Sequence, residues 1–259
     1  MRRTTILFIA TILVACSNQN KDQGQSESDK DSTVKSIQTD NLDKGFVKSV
    51  YDNPDSDVKL NQSRLKELSD SNVFTSVHSK LFETLTKNHQ AFFKSRPDYQ
   101  LLCIASGDLF QNNTKSSLFI VYDNKNVRIS ILTFNESTKK YSELYRETKV
   151  VNGLKDANCN YSAFGTLDYQ FANELIYQRD YLIKKPEQFL EYQRCKIIDI
   201  SKDKDMILED GCFSKSFKPA DYTKSLCLST SFVYNNWECL SYDKSIDTFV
   251  IFYGQAFAD

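Results

Sequence analysis

Ser117-Leu118-Phe119-Ile120-Val121-Tyr122, then Asp123-Asn124-Lys125-Asn126, then Val127-Arg128-Ile129-Ser130-Ile131-Leu132-Thr133-Phe134: two runs rich in β-branched and aromatic residues, separated by turn formers, read as the arms of a β-hairpin. Working outward, Tyr99 to Ile104 and Tyr141 to Tyr145 have the same character and lie one turn away on either side. The four segments together predict an antiparallel meander. Upstream the period changes. From about Asn72 to Lys94, Phe74, Val77, Leu81, Leu85 and Phe92 recur mostly three and four residues apart, which predicts one helix with a single buried face. Ser71 or Asn72 is placed to cap it, and Pro97 lies beyond its end. Shorter helices are expected over Phe46 to Tyr51, before the turn Asn53-Pro54-Asp55, and over Ser63 to Leu68.

Beyond the meander, Gly153 and the stretch Asp156 to Asn160 read as a connector, and Leu167 to Tyr177 fits either a helix or a strand. Lys185 to Leu190 has Pro186 where the first turn of a short helix accepts it. Cys195 to Ser201, the polar turn Lys202 to Asp205 and Met206 to Leu208 suggest a hairpin. The remaining strands are expected over Leu226 to Tyr234, Trp237 to Tyr242 and Thr248 to Gly254, with Asn235-Asn236 as a tight turn. The fold class is therefore α+β. N-terminal helices pack on an antiparallel meander in residues 45–155, and a Cys-containing β-rich region follows in 156–259.

The first 44 residues are of a different kind. Arg2 and Arg3 precede an apolar run from Ile6 to Val14, and small Ala15 follows. This is the layout of an export signal over residues 1–15, and the run falls short of the roughly 20 apolar residues that a spanning helix needs. Leu13-Val14-Ala15-Cys16 resembles the lipobox of bacterial lipoproteins. The resemblance implies cleavage before Cys16, diacylglyceryl transfer to its sulfur and acylation of the new N-terminus, palmitate being a typical chain. More than one acyl chain is what durable anchoring requires. By the same resemblance, Ser17 after the Cys implies sorting to the outer membrane, with the protein facing the periplasm. Residues 16–44 are rich in Ser, Asn, Gln, Asp and Lys, too polar to bury a core. They are expected to form a tether with a reach of about 25 to 30 Å.

The chain has 33 basic residues, and losing Arg2 and Arg3 leaves 31 against 34 acidic, a formal charge of −3. Neither sign dominates, so nucleic acid is not an expected partner. Setting Cys16 aside, the other six of the seven cysteines are Cys103, Cys159, Cys195, Cys212, Cys227 and Cys239. An even number in an exported chain suggests disulfides. In the expected hairpin, Ser201 faces Met206, and counting outward sets Cys195 opposite Cys212. Keeping the other bridges local then pairs Cys227 with Cys239 and Cys103 with Cys159.

Motifs for chemistry are sparse. Gly107, Gly153, Gly165, Gly211 and Gly254 are too scattered to write a phosphate loop or a nucleophile elbow. There is no CxxC or HxxxH spacing, and the only histidines are His78 and His89, eleven residues apart on the expected helix. No catalytic residue, metal site or cofactor is expected. Gly107-Asp108-Leu109-Phe110-Gln111-Asn112-Asn113-Thr114-Lys115-Ser116-Ser117 resembles the calcium-loop hairpins of integrin-type propeller repeats, but Phe110 takes a position where a carboxylate ligand belongs. Asp199, Asp203, Asp205, Glu209 and Asp210 could supply paired carboxylates, although a solvated turn uses the same residues.

The more suggestive feature is the 14 Tyr and 18 Phe against one Trp. Tyrosine at the surface of an exported β-rich domain suits partner recognition. Tyr234, Trp237, Tyr242 and Tyr253 are the expected binding residues. The leading expectation is a non-enzymatic, lipid-anchored envelope protein whose head binds another macromolecule, an immunity or antitoxin role being one version. A wall or glycan hydrolase using the acidic hairpin and a small-ligand carrier are the alternatives.

Overall fold

Helix α1 (Ser56–Asp70) begins where Asp55, after Pro54, accepts backbone bonds from Asp57 N and Val58 N. Val58, Asn61, Leu65 and Leu68 line its buried face, and the cap together with Val58 and Asn61 carries the helix well upstream of the expected Ser63 to Leu68. The computed structural model describes residues 46–153, 166–199, 206–207, 224–229 and 236–256. The expected signal segment 1–15, Cys16 and the tether to residue 44 lie outside them, as do Cys159, Cys212 and Tyr234.

The long helix expected from Asn72 to Lys94 is two helices, α2 (Val73–Glu83) and α3 (Lys87–Lys94). Threonines cause the break. Thr84 Oγ1 donates to the Leu81 carbonyl at 2.7 Å and closes α2, and two residues later the Thr86 hydroxyl accepts from His89 N and starts α3. Hydroxyls that bond the nearby backbone compete with helix continuation. Asn72 does precede α2, in the left-handed region at φ 65° and without a side-chain cap bond. The short helix expected over Phe46 to Tyr51 is mostly extended instead. Phe46 bridges Val151, Val47 N donates to the Val150 carbonyl at 2.8 Å, and only Val50–Asp52 winds into a 3-10 turn.

The meander is present in sequence order: β1 (Tyr99–Gly107), β2 (Ser116–Asp123), β3 (Arg128–Asn135) and β4 (Lys140–Glu143), all antiparallel. Every residue of β2 except Ser117 is buried, because both faces of the sheet are covered. The face bearing Leu101, Phe119, Val121, Leu132 and Phe134 packs against α3 and the end of α2. The other face, with Leu102, Leu118, Ile120, Tyr122, Ile129 and Ile131, joins the main core.

Leu167 to Tyr177, ambiguous in sequence, is helix α4, followed by α5 (Arg179–Lys184) and a 3-10 turn at Pro186–Leu190. Leu167, Phe171 and Leu175 enter the main core, and Phe189 closes it by packing edge-on to Phe74, which in turn packs on Tyr122. Burying one such ring contributes about 1.5 to 3 kcal/mol.

The second sheet comprises β5 (Val150–Asn152), β6 (Cys195–Asp199), β7 (Met206–Ile207), β8 (Lys224–Ser229), β9 (Asn236–Asp243) and β10 (Thr248–Ala256). Its order is β5-β10-β9-β8-β6, with β7 also pairing β10. The β5–β10 pair is parallel and the other pairs are antiparallel. The hairpin expected between Cys195 to Ser201 and Met206 to Leu208 does not form. β6 pairs with β8, setting Cys195 opposite Leu228, while β7 pairs with β10.

The expected Cys195–Cys212 and Cys103–Cys159 bridges are therefore replaced by a Cys103–Cys195 disulfide with Cα atoms 6.6 Å apart. It joins β1 of the meander to β6 of the second sheet, whose edges meet here, as Gly107 against Ile197 also shows. Cys239 is disulfide-bonded too, and the register sets Cys227 opposite it. The protein is of the α+β class, with helices on an antiparallel four-stranded meander and further, cysteine-bearing strands after it.

Candidate binding surfaces

Two regions offer chemistry to a partner or ligand. The first runs from the end of α4 to the residue pair after the 3-10 turn. Tyr177 is 80% exposed, and Tyr181, Ile183, Leu190 and Tyr192 are each exposed as well. Their scaffold is fixed from below. Leu182 and Phe189 are buried, and the Arg194 guanidinium lies 4.6 Å from the Phe189 ring centroid. Arg194 donates through Nε to the Phe189 carbonyl and through Nη2 to Gln178 Oε1. Tyr181 OH donates to Gln188 Oε1 at 2.8 Å, tying α5 to the turn. Burial pushes Arg194 down to about 10, opposed by Glu174, and burial pushes Glu174 up to about 7, opposed by Arg194. Large aromatic groups on such a frame present contact area at little cost in side-chain entropy.

The second region is a groove of about 680 Å3 on the outer face of the meander, where α3 stops short of covering it. Half-buried Leu85 and Ile104 line it above the buried Phe119 and Phe134, together with Thr86, His89, Lys115 and Lys139. His89 is buried, with edge-on contacts to Phe119 and Phe134, and its Nδ1 is hydrogen-bonded to Tyr141 OH. Tyr141 is held in turn by stacking on Phe92 at a ring separation of 3.6 Å. Burial lowers the His89 pKa, Glu136 opposing and Lys139 reinforcing, so the imidazole is neutral at neutral pH. His78 is elsewhere. It sits on α2, where its Nδ1 accepts from Leu101 N at 3.0 Å and so serves the strand edge.

Of the expected aromatic set, Tyr242 is the one whose side chain is described. Tyr242 is half-buried against Phe110 and Phe249 and hydrogen-bonded to Asp247, beside a hollow of about 520 Å3 that Phe46 and Lys149 also line. Trp237 and Tyr253 stand on β9 and β10 opposite Gly254 and Glu238. Of the acidic hairpin, Asp199 ends β6, whereas Asp203, Asp205, Glu209 and Asp210 lie outside the described residues.

In the calcium-like loop the Asp108 carboxylate accepts from Asn112 N and Asn113 N at 2.8 and 3.0 Å, and Phe110 points into the core contact with Phe249. The loop thus closes on itself. Among the described residues, no three His, Cys, Asp or Glu side chains gather to hold a metal ion.

Sequence reasoning missed the buried carboxyl group of Asp168. Asp168, in the first turn of α4, is 1% exposed and accepts from Ser49 Oγ at 2.5 Å, from Thr166 Oγ1 and from Tyr169 N at 2.9 Å. Burial raises its pKa; these three bonds and the Arg146 charge pull it back. It ties Ser49 to the start of α4, a contact across 119 residues that no local pattern encodes. Comparison with protein-family models, curated proteins and solved structures finds no match to this chain or its fold.

Proposed function

We propose that the protein is a lipid-anchored component of the bacterial cell envelope whose folded head binds another protein through the surface between Tyr177 and Tyr192. The observation that carries the reading is the exposure of three tyrosines, one isoleucine and one leucine within that short segment, over a buried Phe189–Arg194 frame. Tyrosine is among the residues enriched at protein interfaces. Support for the address comes from the lipobox-like Leu13 to Cys16, and the polar composition of residues 16–44 suits a spacer between lipid and folded residues. Outer-membrane attachment facing the periplasm follows from Ser17, and immunity against a toxin delivered there is the concrete version.

The test places a photo-crosslinking amino acid at Tyr177, Tyr192 or, as a control on the β2–β3 turn, Lys125 in cells making the full chain. One adduct of defined mass from the first two positions and none from the third is expected. Equal adducts at all three, or none at all, would sink the reading. Replacing Cys16 by Ser tests the anchor separately: the chain should move from the membrane to the soluble fraction. Deleting the gene should lower survival in competition with a toxin-secreting neighbour, and equal survival removes the immunity version.

A further inference from the structure

We propose that the groove over Phe119 and Phe134 is a binding site for a small amphipathic organic anion, a carboxylate or sulfonate on an aromatic or branched apolar body. The site does not depend on the partner surface described above.

Three properties lead to this ligand class. The first is shape. The groove holds about 680 Å3, within the range of roughly 300 to 1,000 Å3 typical of small-molecule sites. Its apolar lining is offered by Leu85 and Ile104, both half-buried, over the buried rings of Phe119 and Phe134.

The second is charge. Lys115 and Lys139 line the groove against one carboxylate, Glu136. Glu136 pairs with Lys139, which leaves Lys115 as the cation with no ion pair among the described residues. The first turn of α3 faces the same space through Thr86, Asn88 and His89, and a helix N-terminus adds positive potential.

The third is a fixed polar group. His89 is locked by Tyr141 through Nδ1, and Nε2 has no partner among the described residues. A neutral imidazole held in this way offers one oriented hydrogen bond beside the apolar lining. Apolar contact would seat the body of the ligand, and Lys115 with the α3 terminus would take its anionic end. A neutral ligand would forgo that second contribution, and an inorganic anion the first.

The probe is 8-anilinonaphthalene-1-sulfonate, with N-phenyl-1-naphthylamine as the same ring system lacking the sulfonate. Both are titrated by fluorescence into the mature, oxidised protein. Saturable binding of the sulfonate at one site is expected, at least tenfold tighter than the neutral analogue. Lys115→Glu should weaken it at least tenfold, since a cation is exchanged for an anion at the rim.

Ser106→Trp, which fills the exposed groove-lining position on β1, should abolish binding. Tyr177→Ala with Tyr192→Ala should leave it unchanged, which separates this site from the partner surface. Non-saturable binding, equal affinity for the two probes, or equal affinity in wild type and Lys115→Glu would overturn the proposal. Because Lys115 is exposed and remote from the core, its variant tests the site even if Ser106→Trp does not fold.

Discussion

The two sheets solve the same problem by opposite routes. In the meander each strand pairs with the next in the chain, across short turns. In the second sheet β5 pairs with β10, setting Val150 beside Phe249, and β6 passes over β7 to pair with β8. Local pairing loses little loop entropy before contacts form, whereas distant pairing must first bring remote segments together. The meander is therefore secured by its own sequence and by helices on both faces. The second sheet depends on what ties it to the first. Its ties to the first include the Cys103–Cys195 bond and the close approach of Gly107 to Ile197, beside the packing of Phe110 on Tyr242 and Phe249.

The largest effect is expected from cutting the covalent tie. The bond closes a loop of 92 residues, which on chain entropy alone stabilises the fold by about 4 to 5 kcal/mol. Cys103→Ala with Cys195→Ala should lower the urea unfolding free energy by that order. Hydrogen exchange should speed up at Ile197 in β6 more than at Ile120 in β2. A loss below about 1 kcal/mol, or equal acceleration in both strands, would mean that the second sheet holds itself.

A smaller effect should come from the non-covalent seam. A Cβ on Gly107 would lie 2.7 Å from Ile197 Cγ2 and 3.0 Å from Ile197 Cβ, too close for any ordinary contact. Gly107→Ala should cost roughly 1 to 3 kcal/mol by overpacking. Ile197→Ala removes the clashing methyl, so the double variant should be less destabilised than the sum of the two single ones. Additive effects in that cycle would show that the sheets separate freely at this point.

What the sequence made legible follows the same division. The hairpin and its neighbours could be read because alternation, turn residues and strand length are local signals, and each meander strand stands within a few residues of its expected position. The β6 segment was legible as a strand, but its partner was not. The polar turn after Ser201 pointed to a hairpin, while the pairing was decided by β8 some thirty residues on, and the cysteine assignment failed with it. The break between α2 and α3 was hidden because Leu81 and Leu85 continue the apolar period straight through two threonines whose hydroxyls end it.

The proposed binding surfaces were less legible still. Tyr242 looks like a surface tyrosine in sequence and packs against Phe249 in the fold, whereas Tyr177 ends a segment whose class was ambiguous. His89 could be named as a candidate but not placed, because Tyr141 and Phe134 reach it from another part of the chain.

Below the exposed Tyr177 to Tyr192 surface, a pH effect separates the frame from the meander. Glu174 has its pKa raised from 4.5 to about 7, chiefly by burial, with Arg194 pulling the other way. An acid with a raised folded pKa contributes most below its unfolded value and loses that contribution as pH rises through the folded one. Wild type should therefore lose stability relative to Glu174→Gln between about pH 4.5 and 7. Solvent reaches the side chain in part, so the difference is reduced to roughly 1 kcal/mol. Urea midpoints at pH 4.5 and 7.5 read it, and parallel shifts in the two proteins would assign the titration elsewhere.

The smallest effect on stability should come from the exposed tyrosines, and its smallness is the point. Tyr122, on the inner face of the meander, is fully buried against Phe74, whereas Tyr177 is 80% exposed on the end of α4. Truncating a buried aromatic costs about 3 to 5 kcal/mol, and truncating an exposed one usually changes stability by less than about 0.5 kcal/mol. Tyr177→Ala and Tyr192→Ala should thus leave the unfolding curve in place while reducing partner capture. If either instead lowers stability by more than about 1 kcal/mol, these rings belong to the packing around Phe189, and the surface loses its claim to be kept for a partner. A pair of variants that melt like wild type yet no longer hold the partner would separate recognition from folding on the same three turns of chain.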